Sequence, residues 1–96
     1  MTGKVYAIML KMKEGKKFDL PLIKRHVENL KKLDAEGKLV LCGPFKDFAG
    51  GMLIVKAASP EEARAIAESD PFVGEGFESY ELREWELASK ENNYLL

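Results

Sequence analysis

Apolar and polar positions along this chain change period several times, and each change marks an element. Residues 4–12, Lys-Val-Tyr-Ala-Ile-Met-Leu-Lys-Met, are apolar in both alternating phases and predict a strand. After the basic loop 13–17 the spacing becomes helical, with Ile23, Val27, Leu30 and Leu33 on one stripe. Asp19 is placed to cap this helix and Pro21 fits its first turn, where a missing N–H costs nothing. The helix is expected to run to about Glu36 and stop at Gly37. Residues 38–45 predict a second strand closed by Gly43-Pro44, residues 46–51 a hairpin connection, and residues 52–56 a third strand. Ser59-Pro-Glu-Glu62 opens a second helix: Ser59 caps, Pro60 takes the first helical position, and Glu62 completes a capping box. Ala63, Ile66 and Ala67 face inward from it, and Asp70-Pro71 ends it. Residues 72–76 form a short turn, residues 77–87 a long last strand, and residues 88–96 a tail whose Tyr94-Leu95-Leu96 could dock elsewhere.

The order strand, helix, strand, strand, helix, strand is the split βαβ, ferredoxin-like pattern of the α+β class. It implies a four-stranded antiparallel sheet in the order 4-1-3-2, with both helices on one face. One domain, residues 1–87, accounts for the whole pattern, and 88–96 is appended to it. Chain direction in this topology brings His26, residues 43–45 and residues 70–76 to the same end. The helix-free face carries apolar residues from strands one to three, among them Met9 and Val55, which predicts a homodimer formed through that face.

Composition narrows the partners. Fifteen basic and sixteen acidic residues leave a net charge of −1, which gives no reason to expect nucleic acid or an anionic membrane. One cysteine cannot form an internal disulfide, and one cysteine with one histidine is too few for a metal motif. The chain enters a strand pattern at once, without a signal peptide, and its apolar runs are too short to cross a bilayer. A cytoplasmic protein with no cofactor is expected.

His26, the single histidine, lies on the apolar side of the first helix, where it is either a satisfied structural histidine or a working acid or base. Asp70 has three readings: a partner that fixes the imidazole tautomer, a purely stabilising partner, or a residue that only ends a helix. Cys42, among Leu39, Val40 and Leu41, is read as an inert buried thiol. Gly43-Pro44 and Gly74-Glu75-Gly76 either present backbone N–H groups to a ligand or simply make turns. Tyr80 and Trp85 on the last strand are read as core or dimer contacts, and Lys31-Lys32 as a solvated helix face.

Several of these pieces recur together: Arg25-His26-x-x-x-Leu30-x-x-Leu33, then Gly37-Lys-Leu-Val-Leu-Cys-Gly-Pro-Phe45, then Gly50-Gly51, Ser59-Pro-Glu-Glu-Ala63 and Asp70-Pro-Phe-Val-x-x-Gly76. In that order they resemble the YciI-like, YCII-related proteins. The resemblance implies a ferredoxin-like dimeric α/β barrel whose histidine matches His26 and whose Asp-Pro aspartate matches Asp70. A few relatives are dehydrochlorinases acting on chlorinated hydroxyquinones, and similar dimeric barrels include muconolactone isomerases. No role passes to Lys24 or Arg25, because the basic residues before the histidine vary.

Two functional classes follow. One is a small-molecule enzyme that moves a proton with a His26–Asp70 pair, in an elimination or isomerisation, over a pocket floored by Gly43, Pro44 and Phe45. The other is a non-catalytic dimeric module that binds a small ligand or has a regulatory role. The substrate itself is not legible.

Overall fold

The computed structural model describes residues 3–96, so the first two residues of the expected domain 1–87 lie outside the described residues. The chain order is β1 (Lys4–Met12), α1 (Leu20–Ala35), β2 (Leu39–Pro44), β3 (Gly50–Ala57), α2 (Pro60–Ser69), a one-turn α3 (Pro71–Gly74) and β4 (Glu78–Glu84), followed by a 3₁₀ turn at Lys90–Leu95. The strands form one sheet in the order β2-β3-β1-β4, and every neighbouring pair is antiparallel. This is the ferredoxin-like α+β fold expected from the element order.

Period-two alternation decides which side chains each face receives. Tyr6, Ile8 and Leu10 of β1 align with Val55, Leu53 and Gly51 of β3, and this phase is buried. Leu33 of α1 and Ala63, Ile66 and Ala67 of α2 close over it. The two alanines let α2 approach the sheet closely. The opposite phase, with Val5, Ala7, Met9 and Met52, is half-buried and carries no helix; Val55, expected there beside Met9, lies instead in the helix-covered phase, because it pairs with Tyr6.

The helix ends follow from local chemistry. Asp19 accepts a 2.9 Å hydrogen bond from the Leu22 amide, which caps α1. At its other end Gly37 adopts φ 72°, while the Lys38 and Gly37 amides donate to the Leu33 and Asp34 carbonyls, a Schellman closure. Ser59 accepts from the Glu62 amide at 3.1 Å and caps α2 as expected, but Glu62 accepts from the Ala58 amide at 3.2 Å rather than from the Ser59 amide, so the reciprocal half of the expected capping box reaches one residue further back.

Three further expectations need correction. The last strand ends at Glu84, not Leu87. Among the described residues β4 has β1 as its sole neighbour, and β1 begins at Lys4, so after the Trp85 amide donates to the Val5 carbonyl the ladder ends. The short turn expected at 72–76 begins one residue earlier and is helical, over Pro71–Gly74. The buried stripe of α1 runs through Leu22 and Leu33, while Ile23 and Val27 stay more than a third exposed. No described helix is long and apolar enough to cross a membrane.

Candidate functional site

The site is built at the junction of α2 and α3. Asp70 has extended backbone (φ −69°, ψ 125°) and is followed by Pro71, so α2 cannot continue through it. Its Oδ1 then accepts from the Phe72 amide at 2.9 Å and caps the next turn. That cap fixes the carboxylate in place before any histidine is considered. Gly76, at φ 83°, ends the turn and sends the chain into β4. A side chain is disfavoured there because a Cβ crowds its own backbone at that angle.

α1 brings His26 to the fixed carboxylate. Its Nδ1 lies 2.9 Å from Asp70 Oδ1, across 44 residues of sequence. A carboxylate only accepts, so Nδ1 carries the proton and Nε2 is the nitrogen left for a ligand. The Asp70 side chain is 1% exposed and that of His26 15%, so the pair is anchored in the interior and reachable from one side. The imidazole plane is held by stacking on Phe72, with centroids 3.9 Å apart and planes 10° from parallel. Phe72 in turn stacks on Phe18 at 4.0 Å. Outside this stack Arg25 donates to both oxygens of Glu75, at 2.7 and 3.2 Å, and ties α1 to the turn before β4.

The stack forms one wall of a cavity of about 590 Å³, a volume in the usual range of small-molecule sites. His26, Gly43, Pro44 and Phe45 line it, and Asp70 lies behind His26 rather than on the surface. Gly51 completes the floor beneath Gly43. A Cβ there would come within 2.6 Å of the Gly43 carbonyl, so a side chain would push β2 and β3 apart. Phe48 and Val27 add apolar walls. Among the described residues no cluster of three or more His, Cys, Asp or Glu side chains is arranged to hold a metal ion.

Two findings depart from the sequence reading. Cys42 is exposed and lines the cavity, rather than being a buried inert thiol. A register shift between Leu39 and Leu41 puts Leu41 opposite Ile54 on the open face and Cys42 opposite Leu53 on the cavity side. The extra residue of the bulge reverses the phase of an edge strand.

The other is Glu78, which no motif had singled out. It is 4% exposed, lines the cavity, and pairs in register with Met12. Burial, and after it the charge of Asp70, push its carboxyl up to about 7, against a weaker downward pull from His26. Its Oε1 has no hydrogen-bond partner among the described residues, nor does Asp70 Oδ2. A signal was present in the alternation: Glu78 shares the inward phase with Tyr80 and Leu82, while Ser79, Glu81 and Arg83 point outward. Gly74, Glu75 and Gly76 line no part of the cavity; they shape the turn that delivers Glu78.

With this geometry established, the comparisons with known proteins agree among themselves. In sequence the chain is 35% identical over 83 residues to the Bacillus subtilis protein YjpA, covering 86% of this chain and 98% of that one. In structure it is similar to the 5-chloro-2-hydroxyhydroquinone dehydrochlorinase of Burkholderia phenoliruptrix, solved in complex with 2,5-dihydroxybenzoquinone. The TM-score is 0.67 at 27% identity, with 93% of this chain and 99% of the other covered. The model of the YCII-related domain matches residues 5–86, from the second residue of β1 to beyond the end of β4, and the chain belongs to that family.

Proposed function

We propose that this protein is a small-molecule enzyme that moves a proton with His26, oriented by Asp70, in an elimination or isomerisation of a hydroxylated ring compound. The observation that carries the reading is the 2.9 Å Nδ1–Oδ1 hydrogen bond behind a histidine that lines an apolar cavity. Asp70 fixes the tautomer and stabilises the imidazolium that forms when Nε2 takes a proton. Gly43, Pro44 and Phe45 bound the substrate, and Phe72 keeps the imidazole plane aligned with it. Dehydrochlorination by the structural neighbour supports this class, since loss of HCl is a proton transfer coupled to chloride departure and needs no electron transfer. The chain's own residues supply the acid–base groups such a step requires, in the cytoplasm.

The direct test offers 5-chloro-2-hydroxyhydroquinone as substrate and 2,5-dihydroxybenzoquinone as ligand, with chloride release and calorimetry as readouts. His26→Ala is expected to lower turnover at least ~100-fold while the protein still melts cooperatively. Asp70→Asn is expected to lower it less, since Asn keeps an acceptor but no charge. Ligand binding that survives both changes, with no turnover by the unaltered protein, identifies a binding module instead.

The working unit in this reading is a homodimer joined through the helix-free sheet face. Leu41 is 67% exposed there, next to Ile54, and Val5, Ala7 and Met9 extend the same apolar surface. Sedimentation at micromolar concentration is expected to give twice the chain mass, and Met9→Lys to shift it toward the monomer. A stable monomer in concentrated solution rejects the dimer and leaves the cavity chemistry to stand alone.

A further inference from the structure

We infer that Glu78 is a second catalytic group of the cavity, a carboxylic acid that donates a proton to a carbonyl oxygen or ring carbon of the substrate while His26 removes one from another atom. The inference rests on the proton-transfer reading above and extends it to the other half of the reaction.

Burial and direction carry the argument. Glu78 is 4% exposed, yet it stands on the cavity wall. An interior carboxyl ordinarily finds a donor, because an unpaired buried charge is costly. Glu78 Oε1 has none among the described residues. The groups facing it explain why it stays uncharged. From α1 comes His26, from the α2–α3 junction Asp70, from β1 the uncharged Met12 in register, and from the aromatic stack Phe72. One histidine cannot neutralise two carboxylates. Asp70 holds the direct hydrogen bond to His26, so Glu78 is the carboxyl that keeps its proton, up to a pH of about 7. Two carboxyl groups in unlike environments around one base divide into an acid and an orienting anion.

The step balances without an oxidant or cofactor. His26 Nε2 takes a proton from a C–H or O–H of the ring, the bonding pair moves into the ring, and the Glu78 O–H bond breaks to protonate the carbonyl oxygen of a ketone or hydroxyquinone, or a ring carbon of a quinol. The products are imidazolium, carboxylate and the tautomerised ring. Where that tautomer carries a leaving group such as chloride, the chloride departs as a ring O–H proton passes to water, so that HCl is lost overall. Transfer of the proton from His26 back to Glu78, through product or water, resets the site. The substrate class is therefore an enolisable cyclic ketone, quinol or hydroxyquinone without a carboxylate or phosphate of its own. An anion would find no lysine or arginine of the described residues on the wall and, above neutral pH, would meet the Glu78 carboxylate.

The test uses the same chlorinated hydroxyquinol and dihydroxyquinone probes on the full chain. Glu78→Gln keeps shape and polarity but has no acidic proton. It also removes a buried ionisable group, so it is expected to fold at least as well as the unaltered protein. The expected result is a loss in kcat of ~100-fold or more, with KM changed less than about threefold. The rate of the unaltered protein is expected to fall as pH rises through the Glu78 ionisation, and this alkaline limb to vanish in Glu78→Gln. Glu78→Asp is expected to restore part of the rate and the limb. Glu78→Gln at near-normal kcat with the limb intact, while His26→Ala is inactive, overturns the role of Glu78 and leaves the His26–Asp70 reading standing. Unaltered protein that neither binds nor converts any member of the series overturns both.

Discussion

The layer between sheet and helices is built differently at its two ends. Near Tyr6, Val55 and Ala57 it is filled: Ile8, Val55 and Ala63 are 0% exposed, and Ala67 is 1% exposed. At the end marked by Met12, Gly50 and Glu78 the same layer opens into the cavity. The cause is the length of α2. Its alanines close the filled end, but Asp70-Pro71 stops it before it can cover the other. A single turn replaces it there, and that turn contributes Phe72 as a wall of the cavity. α1 passes over both ends, with Leu33 packed in the filled one and Ile23 and Val27 lining the hollow one. One end supplies stability, and the other gives up packing to hold groups that stability alone would not place there. Two carboxyl groups and a histidine in one partly buried pocket are costly, and natural proteins accept such cost at functional sites.

The largest expected effect lies at the filled end. Ile8→Ala should lose about 2–5 kcal/mol of stability, read by denaturant unfolding, while binding of 2,5-dihydroxybenzoquinone to the folded fraction is unchanged. Melting like the unaltered protein would break the contrast between the ends.

Next is Glu78, which sharpens the contrast through pH. Its carboxyl is raised from 4.5 to about 7 in the fold. Between those values the folded chain keeps a proton that the unfolded chain releases, so stability falls as pH rises through this window and then levels off. Glu78→Gln removes that dependence. It should match the unaltered protein near pH 4.5 and exceed it above pH 7, by up to about 3 kcal/mol. Parallel stability curves at all pH values would place the cost of the hollow end elsewhere.

The smallest effect is expected from Val27→Ala. This side chain is 38% exposed at the cavity, so its loss should cost under about 1 kcal/mol. The widened cavity should shift binding toward bulkier quinones. A loss comparable to that of Ile8→Ala would mean that the hollow end is packed after all.

The α1 stripe shows how far hydropathy reaches. Ile23 and Val27 are apolar at helical spacing, as a core stripe would be, but they face a cavity. Periodicity reports which side is dry without reporting whether that side is filled. His26 was legible as an inward histidine for the same reason, since it falls between Leu22 and Leu30 on the turned-in side. Cys42 was misread because a one-residue bulge beside it inverted the strand's phase, and the neighbouring residues carry no mark of that insertion. Glu78 could have been found from its phase on β4, but a lone carboxylate beside Phe77 and Ser79 gives no sign of which atoms will surround it.

The order of the main strands and helices, the Asp19 and Ser59 caps, the antiparallel sheet and the family were legible along the chain alone. These depend on interactions within about four residues, such as Asp19 with Leu22 or Ser59 with Glu62, and on alternations that repeat along a segment. Tertiary structure decided the rest: the 2.9 Å contact between His26 and Asp70, the burial that pushes the Glu78 carboxyl up, and the hollow where α2 stops short. A proton affinity depends on what lies within a few ångströms in any direction. For these groups the neighbours come from α1, the α2–α3 junction, β1 and β4, and only closure of the sheet brings them together.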